Sequence, residues 1–303
     1  MRLAALGTGA TTRPALLHGD HAYVIHNLEG AASRTPALPP SGDVGAILAV
    51  GAGVDALRAV ADTLAATAER GDVEGHALTA LGPPIARPGK VICVGRNYAE
   101  HARELGNDLP ERPILFAKFA TAIAGPFDDV VRPGEVTDLD YEAELCAVIG
   151  RRGRRIPKAQ ALDHVAGYCC ANDVSARTAQ LALGDQWLRG KSFDTFCPIG
   201  PAIVTRDEIP DPQNLRITCR VDGETRQDAN TEDMVFDVAT LVSYCSDAFT
   251  LEPGDLILTG TPAGVALGRD SAPWLQPGQL CELEIEGVGR IANRIVQEGE
   301  TRH

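Results

Sequence analysis

The stretch Asp140-Tyr141-Glu142-Ala143-Glu144-Leu145-Cys146-Ala147-Val148-Ile149-Gly150 reads as a β-strand, an apolar run closed by glycine. Along a strand, side chains at i and i+2 share a face. Glu142 and Glu144 therefore point together, while Tyr141, Ala143 and Leu145 face the other way. Two carboxylates side by side on an otherwise apolar strand repel each other unless a cation or a shared proton relieves them. Hard oxygen ligands of this kind suit Mg²⁺, Mn²⁺ or Ca²⁺. The alternative is a pair of solvated glutamates on an exposed strand face.

Outward from this strand the chain is rich in similar segments. Strands are expected over 90–95, 113–119, 168–171, 201–205, 215–222, 255–259, 280–286 and 290–296, and helices over 159–165, 175–183 and 237–250. Strands outnumber helices and seldom alternate with them, which favours an antiparallel or mixed, β-rich α+β fold over a doubly wound sheet. The 31 glycines and 20 prolines indicate many turns. Residues 1–83 read differently: a strand-like opening, a hairpin around His18-Gly19-Asp20-His21, a proline-rich loop with Pro36, Pro39 and Pro40, and an alanine-rich helical stretch over 55–70. The run Gly82-Pro83-Pro84-Ile85-Ala86-Arg87-Pro88-Gly89 marks a boundary. A small N-terminal α/β domain (1–83) and a larger catalytic domain (84–303) are expected.

The 303 residues carry 41 acidic and 28 basic side chains, a formal net charge of −13. This balance argues against a nucleic-acid binder and against docking on an anionic membrane. No run approaches the about 20 apolar residues that span a bilayer, and the N-terminus does not read as a signal peptide. A cytoplasmic protein is the default expectation. The eight cysteines lie mostly in apolar runs without any C-x-x-C pair, which points to reduced, buried thiols and against a structural zinc site.

Two motif fragments lead nowhere. Gly51-Ala52-Gly53-Val54-Asp55-Ala56 matches a dinucleotide fingerprint, but no second strand with an acidic end follows it, so no nucleotide cofactor is expected. Gly190-Lys191-Ser192 resembles the end of a P-loop, yet position 185, where that loop needs glycine, is Asp.

Other segments carry chemistry. Asp173 follows an apolar run and can be a third carboxylate ligand or a helix N-cap. On a helical turn His101 and Glu104 are i, i+3 neighbours, so the carboxylate can orient the imidazole as a base for water, or the two form an ordinary surface pair. Lys191 is a lone cation among glycine and aromatic residues. The glycines of Gly260-Thr261-Pro262-Ala263-Gly264 can let backbone N–H groups approach an anion, or simply make a turn.

Together the segments resemble the fumarylacetoacetate hydrolase family over 90–296. The motifs occur in order: Gly95-Arg96-Asn97-Tyr98-Ala99-Glu100-His101, Asp140 to Leu145, Asn172-Asp173-Val174-Ser175-Ala176-Arg177, Gly190 to Phe196, Asn230 to Met234, and Pro253 to Val265. The resemblance implies that Glu142, Glu144 and Asp173 hold a divalent metal, usually Mg²⁺, with Mn²⁺ or Ca²⁺ as alternatives. It implies that His101 and Glu104 activate water and that Lys191 is catalytic. Arg177, Gln180 and Thr261 match substrate-contacting positions; Arg96, Tyr98 and Gly260, in the same motifs, are expected there too. The implied fold is the family's mixed β-roll with a smaller N-terminal domain, as a homodimer.

These roles imply a hydrolase cleaving a C–C bond in an acylpyruvate-type or other β-diketo 2-oxo acid, with His101 deprotonating water. On the same site, decarboxylation, isomerisation or keto–enol tautomerisation of a related oxo acid is the alternative. A non-catalytic binding module would show a lost ligand or lysine, and none is lost. Net charge is no obstacle to a small anionic substrate, because a bound cation reverses the local sign of the site.

Overall fold

The computed structural model describes residues 1–7, 11–25, 42–49, 57, 58, 61, 62, 64, 68, 73–184, 186–269 and 271–300. The fingerprint-like run at 51–56, the prolines at 36, 39 and 40 and most of the alanine-rich stretch lie outside them.

The fold is α+β and β-rich, as its sequence indicates. One large sheet has the strand order His76–Ala77, His21–Val24, Arg13–His18, Arg2–Leu6, Cys197–Thr205, Val165–Asn172, Ala143–Ile149, Leu256–Leu258, Val91–Gly95 and Ile114–Lys118. Neighbours on this path pair antiparallel except Leu256–Leu258, which runs parallel to Val91–Gly95. The N-terminal hairpin turns at Gly19-Asp20, with His18 opposite His21. Arg2–Leu6 pairs directly with Cys197–Thr205, so the sheet runs unbroken across the boundary segment at residue 83.

A second sheet orders Glu224–Asn230, Arg216–Val221, Leu280–Ile285, Gly289–Gln297 and Val130–Arg132. It packs over Val165–Asn172, where the Cys170 thiol donates to the Gly289 carbonyl and the Asn172 amide reaches Cys281 Sγ. The central strands Ala143–Ile149 and Val165–Asn172 are consequently buried at every position. This explains why 143–149 reads as a near-continuous apolar run, as strands covered on both faces do. It also removes the solvated-face alternative for the two glutamates.

Helices are few among the described residues. Val238–Ala248 fulfils the expectation for 237–250, and its N-cap Asp237 accepts the Thr240 N–H at 2.7 Å. The expected helix at 159–165 is a 3₁₀ segment, Lys158–His164. That at 175–183 shrinks to Arg177–Leu181, because Ser175–Ala176 pairs as a short strand with Leu139–Asp140. All eight cysteines are free and buried. Burial pushes the thiols of Cys197 and Cys245 up to about 12, and those of Cys93 and Cys170 are raised as well.

Candidate active site

The antiparallel register of the two central strands builds the site. Ala143 lies opposite Asn172, so the residues just outside that pair, Glu142 and Asp173, meet at one end of the sheet. The pairing continues through Asp173 N–H to Glu142 O at 3.0 Å and through Glu142 N–H to Asn172 Oδ1 at 3.0 Å. Carboxylate oxygens of Glu142, Glu144 and Asp173 lie within 4.8 Å of one another, all three buried. Asp173 is not a helix cap: the helix that follows starts after Ala176 and has no side-chain cap.

Cations crowd two of these carboxylates. Lys191 donates to Glu142 Oε2 at 2.8 Å and to Asp173 Oδ2 at 2.9 Å. It is placed there by the short helix Leu188–Lys191, which packs against Arg177–Leu181 only because residue 190 is glycine; a Cβ there would run into the Gln180 backbone. Lys118, at the end of the edge strand Ile114–Lys118, donates to Asp173 Oδ1 at 2.5 Å and to the Val174 carbonyl at 3.1 Å. The Arg177 guanidinium donates to Asp140 Oδ2 through Nε at 2.8 Å and lies 2.8 Å from Glu142 Oε1 through Nη2. Its Nη1 donates to Gln180 Oε1 at 2.8 Å. Asp140 in turn accepts the Ala266 and Leu267 N–H groups.

Glu144 is different. It accepts the Gly260 N–H at 2.7 Å and forms no ion pair among the described residues. Burial, then the neighbouring Asp173 and Glu142 charges, holds its carboxyl well above the usual range. Burial acts the same way on Glu142, but Lys191 and Arg177 outweigh it and bring that carboxyl down to about 2. Burial disfavours the Lys191 ammonium, yet Asp173 and Glu142 more than offset it, so Lys191 stays protonated. Four buried carboxylates (Asp140, Glu142, Glu144, Asp173) thus face three buried cations (Lys118, Arg177, Lys191). With all four ionised, one negative charge would be left over, on hard oxygen donors; without a cation, the raised Glu144 carboxyl relieves it by keeping its proton. A donor set with surplus negative charge and a carboxylate lacking a counter-ion fits a divalent cation.

The acid–base pair stands across a cavity of about 440 Å³. His101 and Glu104 lie on the helix Ala99–Glu104, with His101 Nδ1 2.8 Å from Glu104 Oε1. The Gly264 N–H also donates to Glu104, at 2.9 Å, docking the helix on the glycine loop. His101 is only 6% exposed, so the pair is not an ordinary surface contact. With Nδ1 engaged, Nε2 is the ring atom left for chemistry.

Arg96, His101, Glu104, Glu142, Glu144, Arg177, Gln180, Lys191 and Thr261 all border this cavity. Asp173 lies behind them in the carboxylate cluster. Tyr98 and Gly260 do not border it. Tyr98 is 1% exposed with an unpartnered hydroxyl, and Gly260 spends its N–H on Glu144. The glycine-loop amides at 260 and 264 therefore serve the protein's own carboxylates. Sequence reasoning missed Lys118 and Asp140, which complete the charge cluster, and Asn97, whose amide donates to the Phe236 and Thr259 carbonyls. Asp140 and Asn97 lie inside quoted motifs; Lys118 ends an apolar run and carries no comparable signal.

Comparison with known proteins agrees with this geometry. The family model Fumarylacetoacetate (FAA) hydrolase C-terminal matches residues 90–296. The mitochondrial oxaloacetate tautomerase FAHD2A of Bos taurus is 51% identical over 214 residues, covering 70% of this chain and 68% of that protein. The fumarylacetoacetate hydrolase of psychrophilic Exiguobacterium antarcticum superposes with a TM-score of 0.81 at 34% identity, over 98% of this chain and all of that one. Maleylpyruvate hydrolase from Sphingobium sp. SYK-6, in complex with manganese(II) and pyruvate, superposes with a TM-score of 0.76 at 31% identity, over 98% of this chain and 99% of that one.

Proposed function

Since the chain belongs to the fumarylacetoacetate hydrolase family, we propose that it is a divalent-metal-dependent enzyme that moves a proton on a small 2-oxo acid, interconverting the keto and enol forms of oxaloacetate. One observation carries the reading: the His101–Glu104 pair and the carboxylate cluster, through Glu142 and Glu144, border a single cavity. The relatives about half identical to this chain and named oxaloacetate tautomerases support the choice of reaction.

Glu142, Glu144 and Asp173 would hold the metal, Mg²⁺ or Mn²⁺, which supplies Lewis acidity towards the oxygens of a 2-oxo acid. His101 Nε2 takes the proton from the carbon between the two carbonyl carbons, and Glu104 at Nδ1 stabilises the imidazolium that forms. The same proton returns to the oxo oxygen to give the enol, and the reverse sequence gives the ketone. Lys191, fixed by Glu142 and Asp173, keeps a positive charge beside the oxygen where negative charge develops. Leu105, Leu181 and Leu267 form an apolar part of the cavity wall.

The test is the ultraviolet decay of enol-oxaloacetate with Mg²⁺ or Mn²⁺. Acceleration that disappears with EDTA supports the proposal; full acceleration in EDTA contradicts the metal assignment. A second reading, hydrolysis of a 2,4-dioxo acid, is favoured by the full-length likeness to a maleylpyruvate hydrolase. There His101 Nε2 deprotonates water for attack on the distal carbonyl, and pyruvate release from acetylpyruvate detects it. CO₂ release and loss of dienol absorbance detect decarboxylation and isomerisation. In the same reading, residues 1–83 form a small domain joined to the catalytic one through the shared sheet, and two copies of the chain form a homodimer.

A further inference from the structure

The cations around the cavity are not equivalent. Arg177 and Lys191 are committed to Asp140, Glu142 and Asp173 at 2.7–2.9 Å. Arg96 also borders the cavity, yet among the described residues it pairs with no carboxylate. Its contact is aromatic: the guanidinium carbon lies 5.8 Å from the centre of the Trp187 ring. A cation stacked on an aromatic face keeps its donors in the plane free for an incoming ligand.

The wall that holds it is continuous with the carboxylate cluster. Trp187 meets Phe116 edge-on at 5.3 Å, and the Lys191 ammonium lies 5.2 Å from the Phe116 ring. One aromatic pair therefore carries a cation at each end. The Lys191 end is neutralised by the cluster; the Arg96 end is not. Two further features fix Arg96 there. Its backbone is left-handed, at φ 56°, which costs energy for a non-glycine residue and persists where the surroundings enforce it. The preceding residue is glycine because a Cβ at position 95 would stand 2.5 Å from the Trp187 ring.

We infer that Arg96 is the specificity-determining residue that receives a second, distal carboxylate, so that the site selects dicarboxylic over monocarboxylic 2-oxo acids. The inference rests on the proposed function for the placement of the 2-oxo end at the carboxylate cluster. It is independent of whether the reaction is tautomerisation or hydrolysis. A planar guanidinium suits a carboxylate through two parallel N–H donors, and the partly enclosed cavity strengthens that contact. With the distal carboxylate held by Arg96, itself stacked on Trp187, and the 2-oxo end at the cluster, the carbons between lie along the Phe116–Trp187 wall.

The experiment compares 2-oxoglutarate with 2-oxopentanoate, which have the same chain length and differ in the distal carboxylate. Binding of each to the Mg²⁺-loaded full chain is measured by calorimetry, and the ratio of the two dissociation constants is the readout. Wild type should prefer 2-oxoglutarate. Arg96→Asn, a residue that tolerates left-handed backbone, should lower the ratio by about ten- to a hundredfold, the worth of a hydrogen bond to a charged group. Arg96→Gln supplies the same readout if the first variant folds poorly. An unchanged ratio in the charge-removing variant, or a wild type with equal affinity for both ligands, overturns the inference. Its failure is distinguishable from that of the function itself, which would show as no turnover of oxaloacetate and no binding of either acid.

Discussion

Lys118 Nζ lies 2.5 Å from Asp173 Oδ1, with both side chains wholly removed from solvent. An ion pair in such a place is costly to break from one side, because the buried carboxylate that remains keeps only Lys191, which it shares with Glu142. Lys118→Met should therefore destabilise the metal-free protein by about 3–5 kcal/mol. The variant also deepens the surplus of negative charge in the site. Mg²⁺ should raise its urea midpoint by more than it raises that of wild type, and an equal or smaller rise would contradict the charge balance described.

His101→Ala should lower kcat by about 10²–10⁴, the usual contribution of a positioned general base. Calorimetric Mg²⁺ affinity should stay near the wild-type value, because His101 makes no contact with the three carboxylates through hydrogen bonds. Wild-type turnover in this variant would remove His101 from the proposed chemistry. Glu104→Gln should weaken kcat less, since the amide oxygen can still accept from Nδ1.

Gly190→Ala tests the placement of Lys191. The added methyl overlaps the Gln180 backbone, so the helix carrying Lys191 must shift. A loss of about 1–3 kcal/mol is expected from overpacking, together with a fall in kcat. Gly134→Ala, whose Cβ would meet nothing nearer than Glu298 at 3.9 Å, serves as the control and should stay within about 0.5 kcal/mol.

Asp237 predicts a pH dependence outside the site. Burial raises its carboxyl, but Lys158 and the Thr240 hydroxyl and N–H outweigh this and leave it lowered. A lowered folded value means stability present above the ordinary aspartate range, about pH 4, and lost as pH falls below it. Asp237→Ala should cost about 1 kcal/mol near neutrality, as loss of an N-cap does, and progressively less below pH 4. A constant difference across that range would show that the cap bond does not depend on ionisation.

Period-two reasoning on 140–150 brought Glu142 and Glu144 together correctly, although Glu142 sits just before the strand Ala143–Ile149. It worked because one end of a strand keeps the alternation even where the ladder stops. Lys118 was invisible for the opposite reason. It is 55 residues from Asp173 in sequence, and no local period says that the last residue of an edge strand turns inward. The strand Glu224–Asn230 was missed because ETRQDAN has almost no apolar alternation. Its signal lay in the turn: Asp222 and Gly223, both with positive φ, join it to Arg216–Val221 as an Asp-Gly hairpin. The fate of Asp173, cap or ligand, depended on whether Ser175–Ala176 began a helix or paired with Leu139–Asp140, a choice made by tertiary contacts.

The eight buried thiols make the folded chain a reporter on itself. A thiol reagent attacks the thiolate; burial hides all eight sulfurs and raises the thiols of Cys93, Cys170, Cys197 and Cys245 as well. Labelling must then wait for the structure to open, and the order in which Cys93, Cys146, Cys169, Cys170, Cys197, Cys219, Cys245 and Cys281 are modified traces which parts of the two sheets and of the helix Val238–Ala248 open first. A single cysteine substituted on the surface would react alone, giving a clean attachment point without removing any native cysteine.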